Sequence, residues 1–144
     1  MIHSPIGQTN LMFGVSLHSL LVHFPIALTF VACGYDGWAV YARRSRLHRV
    51  GSSLIKLAAG TAVAATATGL DLAGISGLGS ASSVTGHAGM ALISTLVLSV
   101  TAIVRYSAEM RTDTPDAPFS VWMFSAEVVA VVLVFATAVL GHRI

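Results

Sequence analysis

The sequence predicts an all-α integral membrane protein, a bundle of four transmembrane helices. Three observations carry that prediction. Of 144 residues, 55% are hydrophobic and only 10% are charged, against roughly 25% charged in a soluble domain. The mean hydropathy is +0.80. The apolar residues also gather into four stretches, each long enough for the ~20 residues a helix needs to cross the hydrocarbon core. At 144 residues the chain is expected to form one domain, 1–144.

The first span is placed at 17–42. Residues 1–42 contain no Lys or Arg and the apolar segment is long, so it reads as a retained anchor rather than a cleaved export signal. It runs into Arg43-Arg44-Ser45-Arg46-Leu47-His48-Arg49, a compact basic loop. Basic loops stay on the cytoplasmic side, which puts both termini on the outer, periplasmic side of a bacterial inner membrane. The second span, 50–74, is built from small residues such as Ala58-Ala59-Gly60-Thr61-Ala62, which let helix backbones approach closely. A short Gly/Ser-rich link, 74–86, joins it to the third span, 86–106, as an antiparallel hairpin. The link from Arg105 to Pro118 carries mixed charges, and the fourth span follows at 119–141. Trp38, Tyr41, Tyr106, Phe119 and Trp122 all fall at the inner interface, where amphipathic rings are favoured.

Several function classes are set aside by composition. The net charge of +2 is concentrated in the first loop, which does not describe a nucleic-acid surface. Cys33 is the single cysteine, so no intramolecular disulfide forms. No motif brings a nucleophile and a base together, and the chain is not expected to be an enzyme by itself.

The histidines carry the chemistry. Ionisable side chains inside a span are costly and mark candidate sites. Counting helical rise from each span centre puts His23 about 9 Å outward of the midplane, His87 and Asp71 about 13 Å, His18 about 16 Å and His142 about 18 Å. Groups from all four helices therefore share the outer half. Helical histidines hold b-type haem and other metals in bundle interiors. His23 and His87, the deepest pair and on different spans, are the preferred ligands for haem iron or another metal, with His18 and His142 in reserve. On an ideal helix His18 and His23 point about 140° apart. Pro25 removes the donor to the Leu21 carbonyl and could kink the helix between them. Met90 is an alternative soft ligand, and Asp71 an acceptor behind a ligand. No Cys-x-x-Cys-His motif is present for covalent haem attachment. The same histidines also fit the blander role of hydrogen-bonded packing residues with no cofactor.

An inner polar layer is expected from Asp36, Lys56 and Glu127, about 10, 9 and 5 Å below the midplane. Its simplest role is an ion-paired layer that orients the bundle. A sharper one makes Glu127 a proton-handling group.

Leu17-His18-Ser19-Leu20-Leu21-Val22-His23-Phe24-Pro25-Ile26-Ala27-Leu28 is similar to the opening signature of an uncharacterised bacterial membrane family, domain of unknown function 2231, which usually reads Leu-His-Pro-x-Leu-Val-His-Phe-Pro-Ile-Ala. Thr68-Gly69-Leu70-Asp71 resembles the family's second-helix ending, and the isolated His87 fits as well. Ser19 replaces the usual proline, and Leu140-Gly141-His142-Arg143-Ile144 looks short beside the family's glycine-rich ending. Members occur beside c-type cytochrome or Rieske domains, so the resemblance implies a respiratory electron-transfer setting. Three functions follow as expectations. The leading one is an electron-transfer or cofactor-binding subunit holding haem b. The others are a non-catalytic accessory subunit of a respiratory or photosynthetic complex and a histidine-ligated transition-metal protein. Expected partners are the lipid bilayer and other subunits, with a homo-oligomer also compatible.

Overall fold

The computed structural model describes residues 11–12, 15–77, 82–111 and 121–141. Two short antiparallel strands, β1 (Leu11–Met12) and β2 (Val15–Ser16), precede the bundle. Five helices follow: α1 (Leu17–Leu21), α2 (His23–Ala42), α3 (Ser45–Gly77), α4 (Ser82–Arg111) and α5 (Val121–Gly141). Four stretches are long and apolar enough to cross a membrane: Leu17–Ala42, Arg46–Asp71, Gly86–Arg111 and Val121–Gly141. The protein is an integral membrane four-helix bundle.

Two boundaries differ from the expected ones for physical reasons. The first span divides at Val22 into α1 and α2, although Val22 keeps helical dihedrals (φ −63°, ψ −24°) and its N–H still donates to the His18 carbonyl at 3.0 Å. Pro25 lacks the N–H that would reach the Leu21 carbonyl, so the ladder is interrupted where the break falls. Further on, Arg46 to Arg49 belong to α3 rather than to a loop, and Arg105 lies inside α4. Arg and Lys are good helix formers, so a helix that leaves the hydrocarbon continues into the headgroup region. The turn between α2 and α3 is correspondingly tight. Arg43 adopts a left-handed backbone (φ 52°), and the Arg44 N–H donates back to the Ala39 carbonyl at 3.0 Å. Such a reversal satisfies end carbonyls that the helix itself cannot.

Helices α2, α3, α4 and α5 pack in a ring, each against the next, with α5 closing on α2. Helices α3 and α5 are therefore diagonal. The core where they meet is made of small side chains, Ala32, Ala58, Ala59, Ala62, Ala102 and Ala130, around fully buried Ile55 and Leu98. Large residues such as Leu57, Leu96, Ile103, Val132 and Phe135 point outward. Lipid removes the incentive to hide large apolar groups, and close backbone packing supplies the attraction instead. The starts of α2 and α4 and the ends of α3 and α5 share one end of the bundle, where the histidines lie. The opposite end carries Asp36, Arg105, Glu109 and Glu127 beside the basic turn.

Candidate functional site

His18 on α1 reaches across to α3, where its Nδ1 lies 2.9 Å from the Ala65 carbonyl and 3.3 Å from the Thr68 hydroxyl. A carbonyl only accepts, so in the neutral ring Nδ1 carries the proton and Nε2 keeps its lone pair. The ring lies against Gly69, one turn beyond Ala65: a Cβ there would sit 2.8 Å from the His18 Cε1. Any side chain at residue 69 would displace the imidazole.

His87 repeats this arrangement at the diagonal corner. Its Nδ1 donates to the Thr137 carbonyl of α5 at 3.1 Å, and a Cβ on Gly141 would come within 2.7 Å of its Cε1. In both seats the acceptor is the carbonyl of residue i, and residue i+4, on the same helix face one turn later, is a glycine. A histidine that gives Nδ1–H to a backbone carbonyl has its tautomer and ring orientation fixed, with Nε2 left as the ligating nitrogen.

Between the seats lies a cavity of about 400 Å³, lined by His18, His23, His87 and by apolar residues including Ile26, Leu98 and Val134. That volume falls in the ordinary range for a bound small molecule or cofactor. Two hydroxyl pairs add polarity to the wall, Thr66 with Thr95 at 2.7 Å and Ser94 with Thr137 at 2.8 Å. His18 and His23 both line this cavity despite their ideal angular separation.

His23 is held less firmly than His18. Its Nδ1 bonds at 2.7 Å to the Ser19 carbonyl, within its own span, and the residue is exposed, whereas His18 is half-buried. Depth along the helix axis therefore did not translate into burial. Asp71 is exposed and does not line the cavity, and neither does Met90. His142 lies outside the described residues. Among the described residues, no group of three or more His, Cys, Asp or Glu converges on a single ion position.

Residues 14–144 match the family model described as "Predicted membrane protein (DUF2231)". The chain belongs to the DUF2231 family. No curated protein and no solved structure matches it. In this DUF2231 protein the family's His-x-x-x-x-His-Phe-Pro signature coincides with α1, the Val22 break and the start of α2. Ser19, the departure from the signature's proline, supplies the carbonyl that His23 uses.

At the opposite end the expected layer of Asp36, Lys56 and Glu127 forms around a different cation. Arg105 Nη2 lies 2.5 Å from Asp36 Oδ2 and 2.7 Å from Glu127 Oε1, with both carboxylates wholly buried. Lys56 instead pairs with Glu109 at 2.8 Å, and Ser52 donates to the same carboxylate. Treating Arg105 as a loop residue hid it: α4 continues through Arg111 and holds Arg105 at 3% exposure inside the bundle. Removing one partner from such a buried cluster typically costs about 3–5 kcal/mol.

Proposed function

We propose that this protein is a membrane electron-transfer subunit whose cavity holds a b-type haem, with His18 and His87 as the protein ligands. The observation that carries the reading is the matched pair of seats. Two imidazoles, docked on diagonal helices α3 and α5, present the same tautomer to one cavity, and each rests in the gap left by a glycine. A haem needs only two such nitrogens, whereas a small ion would need further ligands. The donor set therefore fits the haem better.

When bound, haem iron supplies a one-electron couple whose potential is set by its ligands and surroundings. His18 and His87 bind and orient the group. Ile26, Leu98 and Val134 keep water from it, and the hydroxyls of Thr66, Ser94, Thr95 and Thr137 offer it hydrogen bonds. His23, also on the cavity wall but anchored within its own span, is a neighbour of the bound edge and not a ligand. The basic residues between α2 and α3 favour a bacterial inner-membrane location with the histidine end facing outward. In that position a redox subunit of a respiratory or photosynthetic complex can meet extracytoplasmic partners.

The test is a reduced-minus-oxidised absorption spectrum of the purified protein with a pyridine haem assay. The expected result is a b-type spectrum that His18→Ala and His87→Ala each abolish and His23→Ala retains. Protein purified from haem-replete membranes that shows no haem bands would sink the proposal in favour of an accessory subunit.

A further inference from the structure

We propose that Asp36, His48, Arg105 and Glu127 form a proton-binding site at the end of the bundle opposite the cavity, with Glu127 as the buried seat of one exchangeable proton and His48 as its port. Each packed helix contributes. Asp36 comes from α2, one turn after Cys33; His48 from α3, Arg105 from α4 and Glu127 from α5. The outlying pair Lys56 and Glu109 neutralise one another.

Charge and burial carry the inference. Asp36 Oδ2 and Glu127 Oε1 both lie within 2.7 Å of one guanidinium nitrogen, and both residues have no exposed surface. Two carboxylates crowded on one cation repel each other, and an uncompensated charge in so dry a place is expensive. A proton on one of them removes both costs, as in carboxylate pairs that share a site.

Two details choose the seat. Asp36 has a donor on each oxygen: Arg105 on one, and His48 Nδ1 on the other at 2.9 Å. Glu127 Oε2 is buried and has no hydrogen-bond partner among the described residues. An ionised carboxylate with a bare oxygen is the worst occupant of that position, and a protonated carboxyl the best.

His48 supplies the route. Its side chain keeps 15% exposure beside the basic turn, while Asp36 behind it has none. A proton from water added at Nε2 makes the imidazolium; the Nδ1 proton then passes to Asp36, and from Asp36 to Glu127 beside the shared guanidinium. The described groups go from net minus one to neutral, and His48 is left as the Nε2–H tautomer, so a ring flip or exchange with water is needed to restore the Nδ1–H that faces Asp36. Gly51 leaves α3 bare at this point, since a Cβ there would lie 2.5 Å from the Asp36 carboxylate oxygens.

Infrared spectroscopy of the full-length protein in bilayers reads the proton directly, whether or not the cavity holds a cofactor. The expected result at neutral pH is a protonated-carboxyl band that shifts on ¹³C-glutamate labelling and survives Glu109→Gln. Asp36→Asn is expected to remove the band, because one carboxylate then balances Arg105. His48→Phe should leave the band but slow its exchange in D₂O about a hundredfold, the low end for loss of a positioned proton-transfer group. A missing band, a band that ignores glutamate labelling, one that persists in Asp36→Asn, or unchanged exchange in His48→Phe would each overturn the proposal. The labelling arm uses the unaltered sequence, so it separates a glutamate from an aspartate seat even if Asp36→Asn or His48→Phe misfolds, and Glu109→Gln, at an exposed residue, then singles out Glu127.

Discussion

A glycine one turn beyond an accepting carbonyl decides where each anchored imidazole sits. The pairing is Ala65 with Gly69 for His18 and Thr137 with Gly141 for His87. Gly141 is the last residue of α5, where the helix-interior penalty of glycine does not apply, so Gly141→Ala tests site geometry with little effect on helix propensity. The added methyl would meet His87 at 2.7 Å, pushing the ring off the Thr137 carbonyl. The variant is expected to keep its fold while losing about 10- to 100-fold in haem affinity, the usual effect of disturbing a group that orients a ligand. Gly60→Ala, with nothing within 4 Å of its Cβ, is the control. Equal haem titrations for the two variants would refute the seat. These residues also mark where sequence reasoning stopped. His18, His23 and His87 stand out because imidazoles in apolar runs are rare, but an accepting carbonyl carries no signature and a lone helical glycine has many explanations. Burial was misjudged for the same reason: counting rise along the axis ranked His23 deepest but cannot say which way a ring turns.

At the scale of a helix, Pro25 lies just after the two histidines of the first motif and leaves the Leu21 carbonyl between them without its usual donor. With α1 ending at Leu21 and α2 beginning at His23, both rings reach one cavity. Pro25→Ala restores the missing donor to the Leu21 carbonyl and permits a continuous helix. His18 and His23 would then diverge by about 140°, and His18 would leave Ala65. The expected readout is a slowed amide exchange through residues 21–25, together with loss of the His18 Nδ1–H hydrogen-bond signal in nitrogen NMR. An unchanged His18 signal would mean that α3, rather than the proline, sets the break. The four spans themselves were legible because long apolar runs have few other uses. Their ends were not, since α3 and α4 extend past the hydrocarbon on residues that read equally well as loop. That misplacement is also why Arg105, the cation of the buried cluster, was passed over for Lys56.

At the scale of the whole molecule the two ends are chemically distinct, so orientation decides what each can reach. The histidine cavity opens near the starts of α2 and α4, whereas Asp36, His48, Arg105 and Glu127 lie at the other end beside the basic turn. Exposed Trp38, Tyr41, Tyr106 and Trp122 belong to that same end, but aromatic belts form at both interfaces and give no direction. Direction rests on Arg43, Arg44, Arg46 and Arg49, which are expected to hold the turn in the cytoplasm. Cys33→Ser provides a cysteine-free background, into which Arg44→Cys and Asp71→Cys are introduced separately, both at exposed positions. A membrane-impermeant maleimide is expected to label residue 44 only in inverted vesicles and residue 71 only in intact spheroplasts. The reverse pattern would turn the cavity toward the cytoplasm and the carboxylate cluster toward the periplasm. It would leave both sites chemically intact while exchanging the compartments from which each draws electrons or protons, because every distance within the bundle is independent of how the bundle is inserted.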